Sequence, residues 1–77
     1  MSHHHQHHKI VAPITGTIWK ITTEIGAAVS EGDTVIIMES MKMEMPVEAD
    51  NTGTIHEIHV KEGQPVTEGQ VLVLIRR

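Results

Sequence analysis

The grouping in this chain best suited to covalent chemistry is Glu39-Ser40-Met41-Lys42-Met43, in which a primary amine stands between two thioethers. Once its proton is removed, a lysine amine attacks activated carboxyl groups. Most lysines do nothing of the kind and serve as solvated surface charge. Met41, Met43 and Met45 alternate, so on a strand they share one face. That face is open to two readings: simple packing, or a soft thioether site for a metal such as Cu(I). Spacing alone leaves these readings open.

Little else in the chain offers chemistry. There is no cysteine, hence no disulfide, zinc-thiolate site or nucleophilic thiol. His56 and His59 lie three positions apart, so a regular strand sends them to opposite faces, where they cannot share a metal. No Ser, His and Asp set and no acid/base pair appears in a supporting motif, so no catalytic residue and no metal site is assigned. Trp19, the only aromatic, reads as an anchor at the edge or core of the fold, with partner docking second.

The chain has 77 residues, enough for one domain. Residues 1–8, Met-Ser-His-His-His-Gln-His-His, read as an expression tag, leaving 9–77 as the domain. Ten acids against six bases give a net charge of −4, with no cationic stripe. Nucleic acid and membrane surfaces are therefore poor partners. No apolar run approaches the roughly 18 residues that span a bilayer. With no cysteine and no secretory signal, the expected compartment is reducing and aqueous, cytoplasm or organelle matrix.

The elements that must position Lys42 are strands. Thr15 to Ile21, Thr34 to Met38 and Val71 to Ile75 are rich in Val, Ile and Thr, and no window has helical periodicity. The chain also repeats itself. Thr15 to Glu39 aligns without a gap on Thr52 to Arg76 at an offset of 37, with nine of 25 pairs identical. Such a duplication predicts an all-β domain of two four-stranded halves related by a pseudo-twofold axis. Neither half can bury its apolar face alone, so the two face each other as a flattened eight-stranded barrel or sandwich. Gly32 and Gly69 mark turns that need positive φ. Because the offset carries Lys42 to the chain ends, the termini are expected at the pole opposite the lysine.

Between the halves, Val35 to Met38 and Met43 to Val47 meet without Gly, Asn or Asp to turn the chain. Two-residue hairpin loops favour turns whose central residues have φ > 0, for which Asn-Gly is the usual pair. Here the central pair is Met41-Lys42, at a cost on the order of 1 kcal/mol per residue. Local rules fail where function demands it.

Glu39-Ser40-Met41-Lys42-Met43 resembles the biotinylation motif of the biotinyl/lipoyl carrier family, whose hallmark is Met-Lys-Met with the central lysine modified. The resemblance covers about residues 9–77, with Ala12-Pro13-Ile14-Thr15-Gly16 and Thr52-Gly53 falling at the family's opening turns. It implies a biotin covalently bound to Lys42, with Met41 and Met43 serving the ligase and Ser40 and Glu39 completing the motif. A biotin protein ligase would supply biotinyl-adenylate to the Lys42 amine. Biotin carboxylase and carboxyltransferase would then be the partners of a non-catalytic carrier, monomeric as an isolated domain. The gapless repeat leaves no room for the protruding thumb of some members. Ser40 stands where alanine is commoner, a nearly isosteric change. Lipoyl domains share the fold but typically carry Asp-Lys-Ala; Glu39 and Gly26 nonetheless match lipoyl features, so lipoate on the same lysine is the rival. From another class, an unmodified β interaction module is the alternative.

Overall fold

The computed structural model describes residues 7–77, which form eight strands and no helix. These are β1 (His7–Val11), β2 (Gly16–Ile21), β3 (Ala28–Val29), β4 (Thr34–Ser40), β5 (Met43–Glu48), β6 (Gly53–Ile58), β7 (Pro65–Val66) and β8 (Val71–Arg76). They build two four-stranded antiparallel sheets, ordered β1-β8-β6-β3 and β5-β4-β2-β7. Of the tag-like tract 1–8, residues 1–6 lie outside the described residues. Its last two, His7 and His8, pair with Arg76 and Ile75 in β1.

The duplication is visible strand by strand. Adding 37 carries β2 onto β6 and β3 onto β7, residue for residue, and β4 onto β8. Subtracting 37 from β5 lands on β1, so the symmetry reaches beyond the 25 aligned pairs. It also corrects the expected assembly, because the sheets are not the two sequence halves. Each takes two strands from either half: β1 and β3 join β6 and β8, while β5 and β7 join β2 and β4. The exchange runs through long and short strands alike: β1 pairs with β8 and β5 with β4, while the two-residue β3 and β7 pair with β6 and β2. The edges stay open, making a sandwich rather than a closed barrel. Pro46 in the edge strand β5 removes one donor from that edge.

Among the described residues, fifteen apolar side chains form the core. Fourteen of them fall into seven pairs at the offset of 37, namely 10/47, 12/49, 18/55, 29/66, 35/72, 36/73 and 38/75; only Val60 has no mate. The hydrogen bonds that cross between elements repeat in the same way. Gly26 and Gly63 donate to the carbonyls of Ile55 and Ile18, while Gly32 and Gly69 donate to those of Ala49 and Ala12. All four glycines have φ between 88° and 96°, where a side chain would be strained.

Strand direction fixes the poles. β1 begins opposite Arg76 and runs to a turn whose Thr15 carbonyl accepts a hydrogen bond from the Ser40 hydroxyl at 3.3 Å. His7 and Arg76 therefore lie at one end of the sandwich and the β4–β5 hairpin at the other.

Candidate functional site

The site is the tip of the β4–β5 hairpin. Its register runs Met38 opposite Met45, Glu39 opposite Glu44 and Ser40 opposite Met43, leaving Met41-Lys42 as a two-residue loop. Their φ angles are 52° and 66°, and among the described residues they are the only non-glycines with positive φ. The sequence predicts this pair at this place. Both lie in the left-handed region that a type I′ turn demands, so the twist of the flanking strands is met by residues poorly suited to it.

Three features hold the turn. Met38 is fully buried and plugs the core beneath it. The Ser40 hydroxyl ties β4 to the Thr15 carbonyl. Gly16 lets β2 approach so closely that an added Cβ would stand 2.6 Å from the Glu39 carbonyl oxygen. Beyond this brace the hairpin projects alone. Lys42 is exposed, and it makes no hydrogen bond or ion pair among the described residues. Its amine is held by nothing that a reaction would have to displace.

Alternation separates the two faces of the hairpin. Glu39 and Glu44 sit across from one another on the outer face, with no cationic side chain within ion-pair distance among the described residues. Ser40 and Met43 share the inner face, in line with Met38 and Met45. Beside the tip, Met41, Met43, Met45, Ile14, Ser40 and Pro46, with Glu44 as the one charged member, line an open and largely apolar groove of about 360 Å³. Met41 is 92% exposed, Met43 72% and Met45 37%. Met41, Met43 and Ser40 thus surround the lysine, while Glu39 faces away. Ile14, Met45 and Pro46 escaped the motif; the alternation of Met45 with Met43 was the available signal.

Two sequence expectations need correction. Trp19 is neither core nor edge: it is the extra residue of a β-bulge on the inner strand β2, and 46% exposed. Its symmetry mate His56 sits in the equivalent bulge of β6. That bulge breaks the alternation used to separate His56 from His59. The Nε2 atoms of both approach the Glu57 carboxylate, His59 at 2.5 Å and His56 at 3.6 Å, and His56 also stacks on His7. The hydrogen bond with His59 is the main cause that holds the Glu57 carboxyl below its ordinary value, assisted by the charges of His59, His56 and His7. Among the described residues, no group of three or more His, Cys, Asp or Glu is placed to hold a metal ion.

An all-β sandwich with an exposed lysine on the hairpin between its duplicated halves defines a class of carrier domains. The profile of the biotin/lipoyl family, described as biotin-requiring enzyme, matches residues 8–75, and the chain belongs to that family. The biotin/lipoyl attachment protein of Bacillus subtilis is 43% identical over 37 residues, 48% of this chain and 51% of the relative. The methylmalonyl-CoA carboxyltransferase 1.3S subunit of Propionibacterium freudenreichii is 47% identical over 36 residues, 47% of this chain and 29% of the relative. The aligned stretch thus spans about half of the first relative and under a third of the second. The crystal structure of Kluyveromyces lactis urea carboxylase superposes with a TM-score of 0.87 at 33% identity, covering 97% of this chain and 7% of that one. Family membership makes the chain a non-catalytic carrier domain of a biotin-requiring system.

Proposed function

We propose that Lys42 carries biotin as an amide on its Nζ, formed by a biotin protein ligase, and that the chain is a carboxyl carrier working between a biotin carboxylase and a carboxyltransferase. The observation that carries this reading is the left-handed Met41-Lys42 turn, which keeps a lysine at an exposed tip where Asn-Gly would fold more easily. The residues present fit the group: the amine is unpartnered, and the adjoining surface is largely apolar, Glu44 being its one charged lining residue. Attached biotin supplies a ureido nitrogen that takes up a carboxyl group and gives it on.

The chain's own part is positional. The rigid sandwich holds Lys42 at one pole, with His7 and Arg76 at the other, so partners can reach the tip without meeting the segments that tether it. Tethering keeps the arm at high effective concentration near both partner sites. Met41 and Met43 offer the ligase apolar contact on either side of the amine, Ser40 braces the loop, and Glu39 gives the outer face its charge. The compartment we assign is cytoplasm or organelle matrix. The first eight residues remain assigned as a tag.

A second reading places lipoate on the same lysine. It is favoured by Glu39 three residues and Gly26 sixteen residues before Lys42, and by a relative named for both groups. One experiment separates the readings: intact mass of the chain and of Lys42→Arg after incubation with biotin ligase, ATP and biotin, and in parallel with a lipoate ligase. One biotinyl group on the unaltered chain and none on Lys42→Arg is expected. No mass change with active biotin ligase would sink the biotin reading, and a lipoyl group alone would establish the rival. If neither ligase acts, the chain is an unmodified interaction module.

A further inference from the structure

Three of the four described methionines flank the lysine, and their exposure is graded. Met41 is 92% exposed, Met43 72% and Met45 37%, whereas Met38, beneath the same hairpin, is 0% exposed. Thioethers open to water are the ones peroxides reach, while a buried thioether in a close-packed core is shielded. All three line the groove beside Lys42, and no aromatic side chain covers them, Trp19 being on β2.

We infer that Met41 and Met43 form an oxidation-sensitive gate on the modification of Lys42: conversion to sulfoxides blocks ligase recognition, and reduction restores it. The oxidant is hydrogen peroxide. A sulfur lone pair attacks one peroxide oxygen, an S–O bond forms and the O–O bond breaks. The departing oxygen leaves as water once the remaining proton is transferred, so thioether plus hydrogen peroxide gives sulfoxide plus water. Sulfur loses two electrons and the peroxide gains them. Each sulfoxide replaces a flexible apolar contact with a strongly polar, chiral one. A ligase surface built to bury thioethers on both sides of the amine then meets two uncompensated dipoles. Met38 lies outside this chemistry, so the fold survives while the tip changes character. This consequence rests on the biotin reading above; the order of oxidation does not.

The test treats the folded chain with dilute hydrogen peroxide, removes the peroxide with catalase, maps oxygen additions by peptide mass, and then measures initial biotinylation rate. Oxygen is expected on Met41 and Met43 first, then Met45, and not on Met38. The rate should fall about tenfold or more, as loss of two buried apolar contacts implies. Treatment with methionine sulfoxide reductases A and B together, one for each epimer, should restore it. Met41→Leu with Met43→Leu keeps apolar bulk without oxidisable sulfur, so its treated and untreated rates should agree with each other. Unchanged biotinylation of a chain oxidised at both positions would overturn the gate. So would oxidation of Met38 as early as Met41, or loss of rate that the reductases fail to reverse. If the untreated chain takes no biotin at all, the biotin reading itself falls and the gate with it.

Discussion

The two ends of the sandwich are symmetry mates built from equivalent strands, yet they differ in closure and in charge. At one pole β4 and β5 are joined by the Met41-Lys42 turn, and Glu39 faces Glu44 across the ladder. At the other, β8 and β1 pair without any turn, and the positions equivalent to Glu39 and Glu44 are Arg76 and His7, also paired. The framework beneath is shared: Gly16 and Gly53 both admit a close neighbouring strand, Met38 and Ile75 both plug the core, and Trp19 and His56 both bulge. The fold requires the framework at both ends. It requires the strained turn and the facing acids at neither, so the shared framework alone does not account for them.

The shared framework can be broken first. Gly16→Ala brings a Cβ to 2.6 Å from the Glu39 carbonyl oxygen, and Gly53→Ala brings one to 2.5 Å from Ile75 Cγ2 and 2.6 Å from the Arg76 carbonyl oxygen. Each should cost about 2 kcal/mol in urea unfolding, with Gly53→Ala the greater because side chain and backbone both block it. A much smaller loss at Gly16 would show that the lysine pole is braced less tightly than its mate.

Replacing Met41-Lys42 by Asn-Gly should stabilise the chain by about 1 kcal/mol, since φ angles of 52° and 66° then fall on residues that accept them. Attachment would be abolished in the same protein. A loss of stability would mean that the turn stores no strain. Smaller still, Glu44→Gln should add about 0.3 kcal/mol at low salt by relieving the repulsion from Glu39, and the gain should vanish at high salt.

The smallest effect belongs to the other sheet, at Glu57 in β6. Glu57 is depressed below 4.5, chiefly by its hydrogen bond with His59. A carboxyl lower in the folded than in the unfolded chain adds stability above its unfolded value, and that stability is lost as pH falls through the folded value. His59→Ala should return the Glu57 titration toward 4.5 by NMR and flatten the acid limb of stability.

Much of this was legible in the sequence because repetition and turn chemistry are local signals. Glycines at 32 and 69 announced positive φ, and the absence of any turn former at Met41-Lys42 announced the exception. The exchange of β3 and β7 between halves was not legible, since two-residue strands leave no period to read. Bulges were equally hidden: one extra residue at Trp19 or His56 shifts every face assignment after it, and no side-chain pattern declares it. At the site, Lys42, Met41, Met43 and Ser40 came from the motif. Ile14 and Pro46 joined the groove only through tertiary approach.

The central claim is that this turn singles out one lysine among four. Lys9 sits on β1, Lys20 on β2 and Lys61 before the Gly63 turn, and all are exposed like Lys42. The direct measurement is peptide-level mass spectrometry of the chain after reaction with biotin ligase, ATP and biotin. Biotin on Lys42 and on none of the other three is the predicted result. Biotin spread over several lysines, or an unmodified Lys42 beside a modified one elsewhere, would contradict it.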